Sequence, residues 1–103
     1  LHVFAPCPTG WGVAPDKTIE VCRRAVKTNY FPLWEALNGK ISLTKVVNKP
    51  KPVKEYTKLI RKFSHLSDEE LEVLQKDIDY EYCMLGGLSN LEMECQLPGT
   101  TER

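Results

Sequence analysis

Leu1-His2-Val3-Phe4-Ala5-Pro6-Cys7-Pro8-Thr9-Gly10-Trp11-Gly12 leads, three residues later, into Pro15-Asp16. Residues 1–5 are apolar, short and stopped by Pro6, which reads as a buried strand running into a loop. In that loop Pro6 and Pro8 fix the backbone on both sides of Cys7, and Gly10 and Gly12 permit tight turns. Pro15 suits a first helical turn, and Asp16 there complements the helix dipole. Ile19, Cys22, Ala25 and Val26 then recur at helical spacing, predicting a helix over 16–28 with Asn29 as its terminator. A strand, a loop and a helix in this order predict an α/β fold. Its first strand is expected to be central, with the helix covering the sheet.

Outward from this unit, Phe31–Leu37 and Lys40–Thr44 are strand-like runs separated by Asn38-Gly39, whose easy positive φ predicts a β-hairpin. Pro32 confines the first run to a strand start or an edge. Residues 45–55, with Pro50 and Pro52, are expected to be extended. From Val53 to Phe63, Tyr56, Leu59, Ile60 and Phe63 share one helical face. A last helix starts at Ser67, which forms a capping box with Glu70 while Leu66 and Leu71 supply a staple. Leu71, Leu74, Ile78 and Tyr82 form its buried stripe, and Gly86-Gly87 is expected to end it. The architecture is thus strand–loop–helix, β-hairpin and two peripheral helices. It divides into residues 1–44, a basic extended segment with helices over 45–87, and an irregular tail over 88–103.

The balance of 42% hydrophobic and 27% charged residues in 103 positions is that of a globular chain, one small domain or a piece of a larger one. It begins with leucine, and residues 1–8 are too short for a signal peptide or a membrane span, so a cut segment of something longer is expected. Net charge is zero but segregated: about +2 over residues 1–44, about +6 over 45–62 and about −8 over 67–103. The basic stretch could meet phosphates or an acidic partner, pair with the acidic helix at 67–81, or remain a solvated surface. It lacks interleaved aromatics beyond Tyr56 and the chain is not basic overall, so nucleic acid is not an expected partner. The four cysteines, at 7, 22, 83 and 95, form no CxxC, and there are two histidines. No complete zinc or iron–sulfur site can be read from such spacing, and a reducing cytoplasm is the expected compartment.

Cys7 is the residue where chemistry is most expected. In open α/β sheets ligands gather beyond the carboxyl ends of strands. A thiolate held between two prolines could ligate a metal or cluster with little reorganisation. The competing reading is a small buried core thiol.

Phe4-Ala5-Pro6-Cys7-Pro8-Thr9-Gly10-Trp11, followed by Pro15-Asp16-Lys17-Thr18-Ile19-Glu20-Val21, resembles the late part of the β subunit of pyruvate:ferredoxin oxidoreductase. Ala25-Val26-Lys27-Thr28, Tyr30-Phe31-Pro32-Leu33-Trp34-Glu35 and Asn38-Gly39-Lys40 continue the resemblance. Lys51-Pro52-Val53-Lys54-Glu55-Tyr56, Arg61-Lys62-Phe63 and His65-Leu66 extend it, so that it covers about residues 1–75. Residues 76–103, with Cys83 and Cys95, match no part of that pattern, and Ile60 replaces a smaller residue.

The resemblance implies that residues 1–44 end a thiamine-diphosphate-binding α/β domain, the chain being a C-terminal fragment of it. It implies oxidative decarboxylation of pyruvate to acetyl-CoA on thiamine diphosphate with Mg2+, electrons leaving through a 4Fe-4S cluster to ferredoxin. Cys7 would be the fourth ligand of that cluster. The other three cysteines and the thiamine and magnesium motifs would lie upstream, so the isolated chain is expected to be inactive. The implied partners are α, γ and δ-type subunits, ferredoxin, coenzyme A and the 2-oxoacid, with no membrane. A branched-chain 2-oxoacid:ferredoxin oxidoreductase β subunit is the alternative, and a non-catalytic remnant or interaction module is a third reading. Trp11 reads as a packing aromatic that could also shield a cluster. Thr9 and Gly10 read as turn residues that could donate to cluster sulfurs. Cys22 reads as core, Cys83 and Cys95 as inert, and His2 and His65 as structural or surface groups.

Overall fold

The computed structural model of the protein describes residues 1–90. Expectations for residues 91–103, Cys95 included, lie outside the described residues. The chain forms a one-turn helix α1 (Pro8–Trp11), a 3-10 turn (Pro15–Lys17) and helix α2 (Thr18–Lys27). Strands β1 (Trp34–Leu37) and β2 (Lys40–Leu43), a one-turn helix α3 (Lys54–Thr57), a second 3-10 turn (Arg61–Phe63) and the long helix α4 (Asp68–Ser89) follow. Helix and sheet are both present, as an α/β fragment requires.

The expected opening strand is the clearest difference. Residues 1–5 carry no strand, and among the described residues their N–H and C=O groups make no backbone hydrogen bond. A strand needs a neighbour for those groups, and the one described sheet is the hairpin. Leu1 and Val3 are therefore exposed rather than buried, while Phe4 turns inward. With no central strand, α2 covers no sheet and packs on α3 instead.

The 16–28 helix forms, its first turn tightened to the 3-10 turn at Pro15. Its buried face is Val21, Ala25 and Thr28, spaced by four and three. Ile19, expected on that face, is 64% exposed, because the face that packs is set by α3 rather than by hydrophobicity alone. Asn29 at φ 61° ends the helix as expected, and the Phe31 N–H donates back to the Ala25 carbonyl at 2.9 Å.

The hairpin turns at Asn38 (φ 53°) and Gly39 (φ 79°), the two left-handed positions of a type I′ turn. Trp34 pairs with Leu43 and Leu37 with Lys40. The first strand begins at Trp34, after Pro32, and all four of its residues are exposed. Ile41 and Leu43 alternate with exposed neighbours and lie half-buried on the strand that meets α4.

The helix expected over 53–63 is broken. After α3, Ile60 is extended (φ −119°, ψ 109°), and the Arg61 N–H donates to the Gly12 carbonyl at 3.2 Å rather than continuing the ladder. The apolar face survives the break: Tyr56 and Ile60 are buried, and Leu59 and Phe63 pack beside them.

Helix α4 starts where the capping box places it. The Glu70 N–H donates to Ser67 Oγ at 3.2 Å, and the Ser67 N–H donates to Glu70 Oε2 at 2.8 Å. Ser67→Ala removes one half of that exchange and is expected to cost about 1 kcal/mol, read as a lower urea midpoint with an unchanged slope. An unshifted midpoint would show that the cap contributes nothing. Ile78 is buried in the predicted stripe, with Leu71, Leu74 and Tyr82 half-buried around it. The helix passes through Gly86-Gly87 and is capped at Asn90. Helical glycine costs only about 1 kcal/mol, and the capping residue, Asn90 at φ −93°, is not left-handed.

Val13, Val21, Ala25, Val53, Tyr56, Ile60 and Ile78 form the core. Around Tyr56 sit Tyr30 at 4.4 Å and Phe4 and Phe63 at 6.3 Å between ring centroids, with Phe4 also against Phe31 at 5.2 Å. Burial, then the neighbouring Tyr30 phenol, push the Tyr56 hydroxyl well above its ordinary pKa. Among the described residues one polar bond joins α4 to this core: the Val53 N–H donates to Gln75 Oε1 at 2.7 Å.

Candidate functional site

The prolines around Cys7 do more than stiffen a loop. Pro8 begins α1, where its missing N–H is no loss, and Cys7 becomes the residue that caps that helix. The Gly10 N–H donates to Cys7 Sγ at 3.3 Å, and the Trp11 N–H donates to the Cys7 carbonyl at 2.9 Å. Hydrogen bonds to sulfur of this kind orient thiolate ligands and tune the groups they hold. A Cβ at Gly10 would lie 3.1 Å from that sulfur, so glycine leaves the sulfur room.

The turn is anchored from behind. Trp11 packs edge-on against Phe4 at 5.6 Å. Gly12 closes α1 at φ 70° and ψ 46°, with the Val13 N–H donating to the Pro8 carbonyl at 2.9 Å. A Cβ at Gly12 would lie 2.7 Å from Arg61 Cβ. Trp11 thus faces the core while Cys7 is exposed. The structure does not support the reading of Cys7 as a buried core thiol.

Cys7 stands by itself. Among the described residues no group of three or more His, Cys, Asp or Glu is arranged to hold a metal ion. Cys22 is half-buried on α2 and Cys83 is exposed on α4. His2 lies edge-on to Phe31 at 5.1 Å, and His65 is exposed. Cys7, Cys22 and Cys83 are thus the free thiols among the described residues, and they are not gathered at one place.

Two features escaped the sequence reading. One is the clasp of Arg61 over Gly12, signalled only by the glycine. The other is Arg24, which joins α2 to α3. Its Nε donates to Glu20 Oε1 at 2.9 Å, and its Nη1 donates to the Glu55 carbonyl at 2.9 Å. Lys58 Nζ lies 3.0 Å from Glu55 Oε2. Hydrogen bonding to Arg24 holds the Glu20 carboxyl below its ordinary pKa, and hydrogen bonding to Lys58 does the same for Glu55. Among the described residues no ion pair joins the basic stretch 45–62 to the acidic helix at 67–81, so that proposed pairing is not formed. No described helix is long and apolar enough to cross a membrane.

No family model matches the chain. Its curated relatives are informative. It is 50% identical over 88 residues, 85% of its length, to the pyruvate synthase subunit PorB of Methanocaldococcus jannaschii. It is 45% identical over 93 residues, 88% of its length, to the ketoisovalerate oxidoreductase subunit VorB of Pyrococcus abyssi. It is also 40% identical over 79 residues, 76% of its length, to the NADH-dependent phenylglyoxylate dehydrogenase subunit beta of Aromatoleum evansii. The chain spans 29%, 30% and 18% of these three relatives. All three are subunits of enzymes named for a 2-oxoacid, pyruvate, ketoisovalerate or phenylglyoxylate. Within that class, the chain is a homologue of part of the PorB and VorB subunits. The matched stretches exceed residues 1–75, so the similarity runs into residues 76–103, where the sequence alone suggested no counterpart.

Proposed function

We propose that this chain is the part of a 2-oxoacid:ferredoxin oxidoreductase β subunit that supplies one ligand, Cys7, to a 4Fe-4S cluster, with pyruvate as the substrate. The observation that carries the ligand role is the exposed Cys7 sulfur on a turn whose own Gly10 N–H points at it. The 50% identity to a pyruvate synthase subunit supports the choice of substrate. Such a cluster would accept and pass single electrons, a chemistry no side chain of this chain supplies. The chain's own contribution is to hold the sulfur in place, keep Trp11 packed behind it and offer one backbone donor to it.

Thiamine diphosphate and Mg2+ belong to the same proposal, held by parts of the protein outside this chain. Coenzyme A, ferredoxin and the companion subunits are its proposed partners and the cytoplasm its proposed location. A branched-chain 2-oxoacid substrate is a second reading, favoured by the 45% identity to a ketoisovalerate oxidoreductase subunit.

In the intact enzyme, Cys7→Ser is expected to lower iron and acid-labile sulfide by about four atoms each per β subunit, the content of one cluster. The same variant should lose electron transfer to ferredoxin while the subunits remain assembled. Unchanged iron and sulfide would remove Cys7 from the ligand set. Parallel assays of the unaltered enzyme with pyruvate and with 2-ketoisovalerate decide between the two substrates.

A further inference from the structure

Arg61 is tied in two ways to the turn that carries Cys7. Its N–H donates to the Gly12 carbonyl at 3.2 Å. Its side chain lies against Gly12, where a Cβ would stand 2.7 Å from Arg61 Cβ and 3.0 Å from Arg61 Nε. The residues flanking this link are core: Val13 follows Gly12 and Ile60 precedes Arg61, at 4% and 1% exposure. A one-turn helix such as α1 is too short to be stable by itself. Its own main-chain bonds run from the Trp11 N–H to the Cys7 carbonyl and from the Val13 N–H to the Pro8 carbonyl, both at 2.9 Å. They close the turn without attaching it to another element. Among the described residues, the Arg61 N–H is the one hydrogen bond that does.

The same contact leaves a positive charge at the turn. Among the described residues no ion pair holds the Arg61 guanidinium, and Asp68 lines a groove with it without pairing. Gly12 follows Cys7 by five residues, roughly 7–8 Å along a helix. That is within the screening length at physiological salt, about 8 Å. We propose that Arg61 is a positioning residue for the Cys7 turn, and that its guanidinium raises the reduction potential of the cluster Cys7 ligates. A reduced cluster carries one more negative charge than an oxidised one, so a nearby cation favours reduction. Net charge is among the levers that set such potentials. The inference rests on Cys7 being a cluster ligand.

The test is a redox titration of the intact enzyme followed by EPR, with iron counted in each sample. The signal followed is the one that Cys7→Ser abolishes. Arg61→Gln keeps a long side chain against Gly12 and removes the charge, and its cluster is expected to titrate at a lower potential than that of the unaltered enzyme. Arg61→Lys keeps the charge and should restore most of the difference. Lys62→Gln removes the neighbouring exposed cation, which lines a different groove, and should leave the potential unshifted. An unshifted midpoint in Arg61→Gln would overturn the proposal. So would an equal shift in Lys62→Gln, because the potential would then follow net charge and not the contact with the turn. A midpoint as low in Arg61→Lys as in Arg61→Gln would overturn it too, since the charge would not be what acts. If Arg61→Gln loses iron, retention in Arg61→Lys supports the proposal, and loss in both overturns it. A signal that survives Cys7→Ser counts against the ligand assignment itself, so the two failures are distinguishable.

Discussion

Tyr56→Ala is expected to destabilise the chain by about 3–5 kcal/mol, the range for emptying a buried aromatic site. Tyr56 is 1% exposed, and Tyr30, Phe4 and Phe63 all pack around its ring. These neighbours come from the N-terminal segment, the turn after α2 and the second 3-10 turn, so no single element can collapse into the space. Small domains have only about 5–15 kcal/mol of stability, and this loss is a large share of it. Tyr56→Phe keeps the ring and should cost only about 1 kcal/mol, the worth of a typical hydrogen bond. Urea unfolding of both variants separates packing from the hydroxyl. If alanine cost no more than phenylalanine, the ring would not be the centre of the core.

Gly12→Ala should have the next largest effect, for two independent reasons. At φ 70° an L-residue costs about 1–2 kcal/mol. The added Cβ would also stand 2.7 Å from Arg61 Cβ and 3.0 Å from Arg61 Nε. Arg61 cannot simply withdraw, because its N–H is bonded to the Gly12 carbonyl. Overpacking of this kind costs about 1–3 kcal/mol more. Gly39→Ala is the matched control: its φ is 79°, but nothing lies within 4 Å of the new Cβ, so only the backbone cost remains. The difference between the two losses in urea unfolding measures the Arg61 clash. Equal losses would mean that Arg61 yields freely and that the clasp behind Cys7 is loose.

Legibility in the sequence followed the range of the interactions. The hairpin turn, the capping box of α4 and the Asn29 stop are decided within four residues, and each stands where local chemistry places it. The break after α3 is decided by Gly12, about fifty residues away from Arg61, and no periodicity over 53–63 encodes it. The burial of Val21 in preference to Ile19 likewise depends on which side α3 occupies. Leu1–Ala5 has a strand's pattern without a described partner strand to complete it.

The site divides in the same way. Cys7 could be singled out because Pro6 and Pro8 flank it, and Gly10 and Gly12 could be read as turn residues. Which way the sulfur faces could not be read, because it depends on Trp11 being drawn toward Phe4.

The bond from the Val53 N–H to Gln75 Oε1 spans twenty-two positions of sequence and is the long-range polar tie described between α4 and the core. An amide whose acceptor sits on another helix can exchange with solvent only when that helix lifts or the segment around it unfolds. The deuterium uptake of this one amide is therefore a clock for the departure of α4, one that runs separately from the fraying of either helix end.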